Sequence, residues 1–90
     1  MSAYQLEIPN SVRRQIDRLP SHYRQRVKEI IRGLCENPRP ANAKLLREKA
    51  VIYRVSLDQI RIVYSIEDEI LVIEIVKVGR KHGPEFYADI

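Results

Sequence analysis

Arg54 and Arg61 stand on either side of Asp58-Gln59 in "YRVSLDQIRIVY", and Arg80, Lys81 and His82 close the apolar run that follows. Arginine presents a planar fork of donors that matches phosphate oxygens. Three segments distant in sequence that deliver such groups to one region would form a polyanion site, with Tyr87 in the tail as its aromatic member. That set suits binding of RNA or DNA. RNA also carries its own nucleophile, the 2′-hydroxyl. A protein that cut it would need only to hold that hydroxyl in line, stabilise the charge of the pentavalent phosphorane and assist proton transfer. Arg stabilises charge but stays protonated and is a poor base. A Lys in a cationic cluster titrates lower and shuttles protons. Other chemistries lack their parts. No Cys/His group has metal-ligand spacing, His22 and His82 are far apart, and neither a Gly-rich phosphate loop nor a Ser-His-Asp set is present. No metal and no cofactor is expected.

Strands must position these side chains. Val51, Tyr53, Val55 and Leu57 alternate with Ile52, Arg54, Ser56 and Asp58, and Ile60, Ile62, Tyr64 and Ile66 alternate with Arg61, Val63 and Ser65. Asp58-Gln59 leaves room only for a tight turn. If helices cover the face with Tyr53, Val55, Ile62 and Tyr64, then Arg54, Ser56 and Arg61 emerge together on the other face. After the polar turn Glu67-Asp68-Glu69, residues 70–78 are apolar nearly throughout, as a strand covered on both faces would be. Gly79 is expected to release the chain into the basic tail.

The first half supplies the cover. Residues 3–8 alternate as a half-buried strand with Tyr4, Leu6 and Ile8 on one face, and Pro9-Asn10-Ser11 offers a break and a candidate N-cap. Val12, Ile16 and Leu19 recur at helical spacing up to Pro20. Tyr23, Val27, Ile30, Ile31 and Leu34 then stripe a second helix, whose Arg24, Arg26, Lys28 and Arg32 make an ordinary solvated back. Pro38 to Pro40 form a stiff linker, and residues 43–50 read either as a helical turn or as an extended lead into the next strand. The predicted architecture is α+β in the order β-α-α-β-β-β. A two-helix hairpin packs on one face of a curved, largely antiparallel four-stranded sheet, in a single domain over residues 1–90.

Composition fits this plan. Ninety residues with 44% hydrophobic and 31% charged side chains suit one small globular domain, and the net charge of +4 favours anionic partners. The lone Cys35 rules out an internal disulfide and falls on an apolar helix position, where it serves as core filler. The N-terminus lacks a signal-peptide pattern and no segment is long and apolar enough to span a bilayer, so a cytoplasmic protein without membrane attachment is expected.

The run of residues 51–87, with "YRV", "IRIVY", an acidic turn, an apolar strand and "VGRK", resembles the C-terminal half of RelE toxins of the RelE/ParE superfamily. The "LP" between helices, the "NPRP" linker and "AKLL" extend the resemblance over essentially the whole chain. The resemblance implies the toxin of a type II toxin–antitoxin system: an endoribonuclease that cuts mRNA in the ribosomal A site without a metal and arrests translation. It also implies a hetero-oligomer with a cognate RelB-like antitoxin, expected to be acidic and to cover the basic face or displace the tail. Arg54 matches a basic residue that contacts mRNA phosphates, and Arg61 the arginine that holds the scissile phosphate. Lys81 matches a basic residue that acts after the last strand, with Arg80 beside it, and Tyr87 the tyrosine that stacks on or orients the base. Lys44 is a further backbone contact. Ser56 replaces a lysine present in some members, and its hydroxyl supplies no positive charge. His82 is a candidate substitute, since its ordinary pKa lies near neutrality. An exposed tail histidine and a packing tyrosine are the plainer readings of His82 and Tyr87. The alternative from the same superfamily is a ParE-like, non-enzymatic inhibitor of DNA gyrase.

Overall fold

A computed structural model describes residues 3–90; Met1 and Ser2 lie outside the described residues. Helix α1 spans Asn10–Asp17 and helix α2 spans Ser21–Glu36. Val12 and Ile16, one turn apart, are buried on α1, as are Val27, Ile31, Leu34 and Cys35 on α2. Pro9 and Pro20 stand at the two N-caps, where a missing N–H costs nothing. No side chain caps α1: the amides of Val12 and Arg13 donate instead to the Pro9 carbonyl, and Asn10 is already helical. The expected Asn10-Ser11 cap is therefore corrected. Cys35 is buried filler as expected, and burial pushes its thiol up from the usual range.

The sheet has five strands: β1 (Gln5–Glu7), β2 (Lys44–Arg47), β3 (Ile52–Leu57), β4 (Ile60–Glu67) and β5 (Val72–Arg80). Their order is β1-β5-β4-β3-β2, with β1 parallel to β5 and all other pairs antiparallel. The additional strand is β2, which resolves the ambiguous stretch 43–50. It pairs only with β3, slips register between Leu45 and Arg47, and exposes three of its four residues. An edge strand with one partner and little burial leaves no alternating pattern to read. Strand β1 is shorter than residues 3–8 and its own residues are exposed, while the flanking Tyr4 and Ile8 pack against the core.

Strand β5 also departs from expectation. Ile70 and Leu71 belong to an exposed turn, with Leu71 at φ 55°, and the strand continues through Gly79 to Arg80. Gly79 does not release the chain. Opposite Val63 and Tyr64 the register jumps from Lys77 to Ile75, so Val76 is an extra, bulged residue. Before the bulge Ile73 and Ile75 face the helices; after it Val78 does. The bulge thus turns Lys77 and Gly79 to the opposite face, the one carrying Arg61 and Val63.

The core lies between the helical hairpin and one face of the sheet. It joins Val12, Ile16, Val27, Ile31 and Leu34 to Val55, Ile60, Ile62, Tyr64, Ile66, Ile73, Ile75 and Val78. The Tyr64 ring is fully buried and its hydroxyl donates to the Pro38 carbonyl at 2.7 Å, which pins the linker. At the same end Arg39 donates to both carboxylate oxygens of Asp68 (3.3 and 2.9 Å), and the Tyr4 hydroxyl donates to Asp68 at 2.7 Å.

Candidate nucleic-acid interface

On the face away from the helices, Arg54 lies opposite Lys44 on β2 and Val63 on β4, and Ser56 lies opposite Arg61. Directly paired residues share a face, so Lys44, Arg54, Ser56 and Arg61 form one patch across three strands. The parity expected from the alternation in residues 51–66 holds at Arg54, Ser56 and Arg61. Arg54 donates to the Ser56 hydroxyl at 2.6 Å, so Ser56 supplies no charge but orients the neighbouring guanidinium. Arg61 is anchored differently. Its Nη1 donates to the carbonyls of Asp58 (2.8 Å) and Ile60 (3.1 Å), which uses both Nη1 protons. The Nε–Nη2 edge remains, and Nε is buried without a partner. That edge is the side on which a guanidinium binds a carboxylate or phosphate in bidentate fashion.

The turn that bears this anchor is itself fixed. Asp58 sits at φ 52°, a left-handed conformation that Asp tolerates, and its side chain accepts from the Tyr23 hydroxyl at 3.0 Å. That bond, followed by burial, raises the Tyr23 phenol above its usual pKa. Helix α2 thereby holds the turn from behind, and the turn holds Arg61.

The C-terminal segment folds back over the same face. A short 3-10 helix, Pro84–Tyr87, seats Phe86 against Gly79: a Cβ built on Gly79 would lie 3.8 Å from the Phe86 ring. Gly79 is the cross-strand partner of Arg61, so its bare backbone gives Phe86 room beside the arginine. Val63 on this face is fully buried and lies outside the helix-side core, so the outer face has its own small apolar layer. Lys81 Nζ lies 5.6 Å from the centre of the Tyr87 ring, and the Tyr87 hydroxyl is buried without a partner. Lys81 and Tyr87 are therefore neighbours in the tail, which packs on β5 beside Gly79, the partner of Arg61. His82 is exposed.

Arg80 does not join this group. It pairs with Ile60, whose side chain is in the helix-side core, so Arg80 points toward the helical side and donates to Gln59 at 3.4 Å. The expectation that Arg80 and Lys81 act side by side is corrected: Arg80, the last residue of β5, follows Ile60 toward the helical side, whereas Lys81 lies beyond the strand next to Tyr87. Lys77 was not among the expected residues. The bulge brings it to the outer face, and the one signal for the bulge in a mostly apolar strand is that the polar Glu74 and Lys77, both on that face, stand three residues apart instead of two or four.

The net charge is also distributed unexpectedly. Residues 10–36 hold seven Lys/Arg against three Asp/Glu, while the remaining nine cations are matched by nine anions. The excess of +4 belongs to the helical hairpin, and the sheet face owes its character to local placement of a few cations. Among the described residues no group of His, Cys, Asp or Glu is arranged to hold a metal ion, and no helix is long and apolar enough to cross a membrane.

The sequence profile described as the ParE toxin of type II toxin–antitoxin systems, parDE, matches residues 6–83. The chain belongs to this family. It is thus a toxin of the RelE/ParE superfamily, and the solved structures it resembles include RelE proteins. The RelE–RelB complex of Pyrococcus horikoshii OT3 matches at TM-score 0.80 and 25% identity, over 89% of this chain and 97% of that one. The isolated Escherichia coli RelE toxin matches at TM-score 0.76 and 29% identity, over 97% and 94%. The RelBE2 toxin–antitoxin complex of Mycobacterium tuberculosis shares the fold at TM-score 0.73 and 24% identity, over 88% and 99%. No curated protein matches the sequence. The superfamily's α+β fold, two helices on an open and mostly antiparallel sheet, is the one described above.

Proposed function

We propose that this toxin is an endoribonuclease that cuts mRNA on the ribosome. The observation that carries the reading is the Arg61 anchor: both Nη1 protons bind backbone carbonyls, which fixes the guanidinium on the sheet face it shares with Arg54, Ser56 and Lys44. A guanidinium preorganised in this way stabilises charge that develops on a phosphate without first reorganising.

In the proposed step the 2′-oxygen forms a bond to phosphorus and gives up its proton, while the bond to the 5′-oxygen breaks and that oxygen takes a proton. A 2′,3′-cyclic phosphate and a 5′-hydroxyl result, and no water or co-reactant enters. Arg61 grips the scissile phosphate, and Arg54, oriented by Ser56, contacts the phosphate backbone with Lys44 beside it. Tyr87 orients the base. Lys81 or His82 moves a proton. Arg80 contributes at most to the rim, from the opposite side of β5.

The partner under this reading is an antitoxin, as in the solved RelE–RelB complexes, together with the ribosome and mRNA. A second reading is inhibition of DNA gyrase, favoured by the family profile itself, which is that of ParE toxins. One experiment separates them. Purified toxin is incubated with mRNA alone and with mRNA on programmed ribosomes, and in parallel with DNA gyrase and relaxed plasmid. New mRNA 5′ ends only on ribosomes support the nuclease. Intact mRNA with blocked supercoiling would overturn it in favour of the gyrase inhibitor.

A further inference from the structure

We infer that Lys77 is a positioning residue that holds Tyr87 over the Arg61 side of the sheet; its catalytic consequence rests on the nuclease reading. Lys77 faces outward only because of the bulge at Val76. Its ammonium makes three contacts, all to the tail. It donates to the Phe86 carbonyl at 2.7 Å and to the Asp89 carboxylate at 3.1 Å, and it lies 4.2 Å from the centre of the Phe86 ring. The first contact fixes the peptide that joins Phe86 to Tyr87. The second fixes the chain two residues beyond Tyr87. The third presses the Phe86 ring toward Gly79, the partner of Arg61.

The 3-10 turn is too short to hold its place by its own hydrogen bonds. Its amides of Phe86, Ala88 and Ile90 bond only to carbonyls within residues 83–87, so none ties it to the sheet. Side chains supply that tie: Phe86 through packing and Lys77 through charge. The Lys77 side chain is about three-quarters shielded from solvent, although Asp89 is largely exposed, so the bond from Lys77 to the Phe86 carbonyl is the better protected of the two. Among the described residues the Tyr87 hydroxyl has no hydrogen-bond partner, so its ring is held only by contacts with Phe86 (centroids 5.3 Å apart) and Lys81, both in the same tail.

The test uses Lys77→Met, which keeps the stem and removes the charge, and Lys77→Arg, which keeps both. Amide hydrogen exchange is read first, because it needs no activity. Loss of protection in residues 84–90 of Lys77→Met, with protection of β3 and β4 unchanged and restored in Lys77→Arg, is expected. Unchanged tail protection overturns the inference whatever the reaction proves to be. Cleavage on programmed ribosomes is read second. Lys77→Met is expected to lose roughly tenfold in the wild-type background, the scale of a misplaced group, and nothing further in a Tyr87→Ala background, which lacks the ring. Equal losses in both backgrounds would show that Lys77 does not act through Tyr87. If the wild-type toxin cuts no mRNA, the nuclease reading fails, and the exchange result alone decides the role of Lys77.

Discussion

Arg54 and Ser56 lie two residues apart on β3, on the same face, and the guanidinium donates to the hydroxyl at 2.6 Å. A residue that carries no charge of its own thus orders the charge beside it. Replacing Ser56 with Ala takes away the acceptor without emptying a core site, since Ser56 is only half-buried. Stability is expected to change by less than about 1 kcal/mol. Cleavage on programmed ribosomes is expected to fall several-fold while Arg54→Ala costs more, and adding Ser56→Ala to Arg54→Ala changes nothing further. A Ser56→Ala toxin with full activity would mean that Arg54 needs no orientation.

Arg61 carries the larger expectation. Its removal leaves the Asp58 and Ile60 carbonyls to solvent at the sheet end, and Asp58 keeps its bond from Tyr23. Arg61→Ala is therefore expected to fold, with the far-ultraviolet spectrum of the parent and a melting point lower by a few degrees. Cleavage is expected to drop by roughly a hundredfold or more, the scale for a preorganised donor to transition-state charge. Arg61→Lys should recover little, because a point charge does not reproduce the Nε–Nη2 edge.

The alternation in residues 51–66 was enough to place Arg54, Ser56 and Arg61, because a two-residue turn and a buried face leave only one parity. The same reasoning failed from residue 70 onward for a physical reason. Ile70 to Val78 is apolar except for Glu74 and Lys77, since one face packs on helices and the other receives the C-terminal turn, and the odd spacing of those two residues is the only trace of the bulge. Gly79 looked like a terminator, but it is a strand residue whose missing side chain makes room for Phe86. Arg80 was misplaced as a result. Strand β2 was hidden because an edge strand owes its conformation to one neighbour rather than to burial.

Tyr64 gives a pH test of the linker. Burial pushes its phenol up to about 12 from an ordinary 10, so the folded state favours the neutral form. The corresponding stability is complete below pH 10 and is lost as pH rises toward 12. Alkaline unfolding is expected in that window, together with ionisation of this tyrosine. Tyr64→Phe should remove the Tyr64 part of the pH dependence and, by leaving the Pro38 carbonyl unpaired, cost about 1 kcal/mol at neutral pH.

At the acid end the relevant group is Asp68. The Arg39 guanidinium, and then the Tyr4 hydroxyl, hold its carboxyl below the usual range. A depressed pKa contributes stability that is present above the unfolded value and is lost as pH falls through the folded one. Asp68→Asn is expected to lower the melting point at pH 7 and to converge with the parent in acid. The gap should shrink in salt, because Arg39 and Asp68 are each about half exposed.

The position of the net charge makes a prediction about the antitoxin. An acidic partner is steered by the summed field of the molecule, and here the whole excess of +4 lies on residues 10–36 rather than on the sheet. Glutamates at Arg14 and Arg26, both exposed, cancel that excess without touching the outer sheet face. The double variant is expected to associate with the antitoxin more slowly, by tenfold or more at low salt, and to dissociate at nearly the parental rate. Arg54→Glu, on the balanced half of the chain, should slow association far less. Stopped-flow mixing across a salt series distinguishes the two, because steering by the hairpin requires the parental association rate to fall with salt and that of the double variant to change little. If Arg54→Glu produced the larger loss, the partner would be reading the local patch and not the field of the helices.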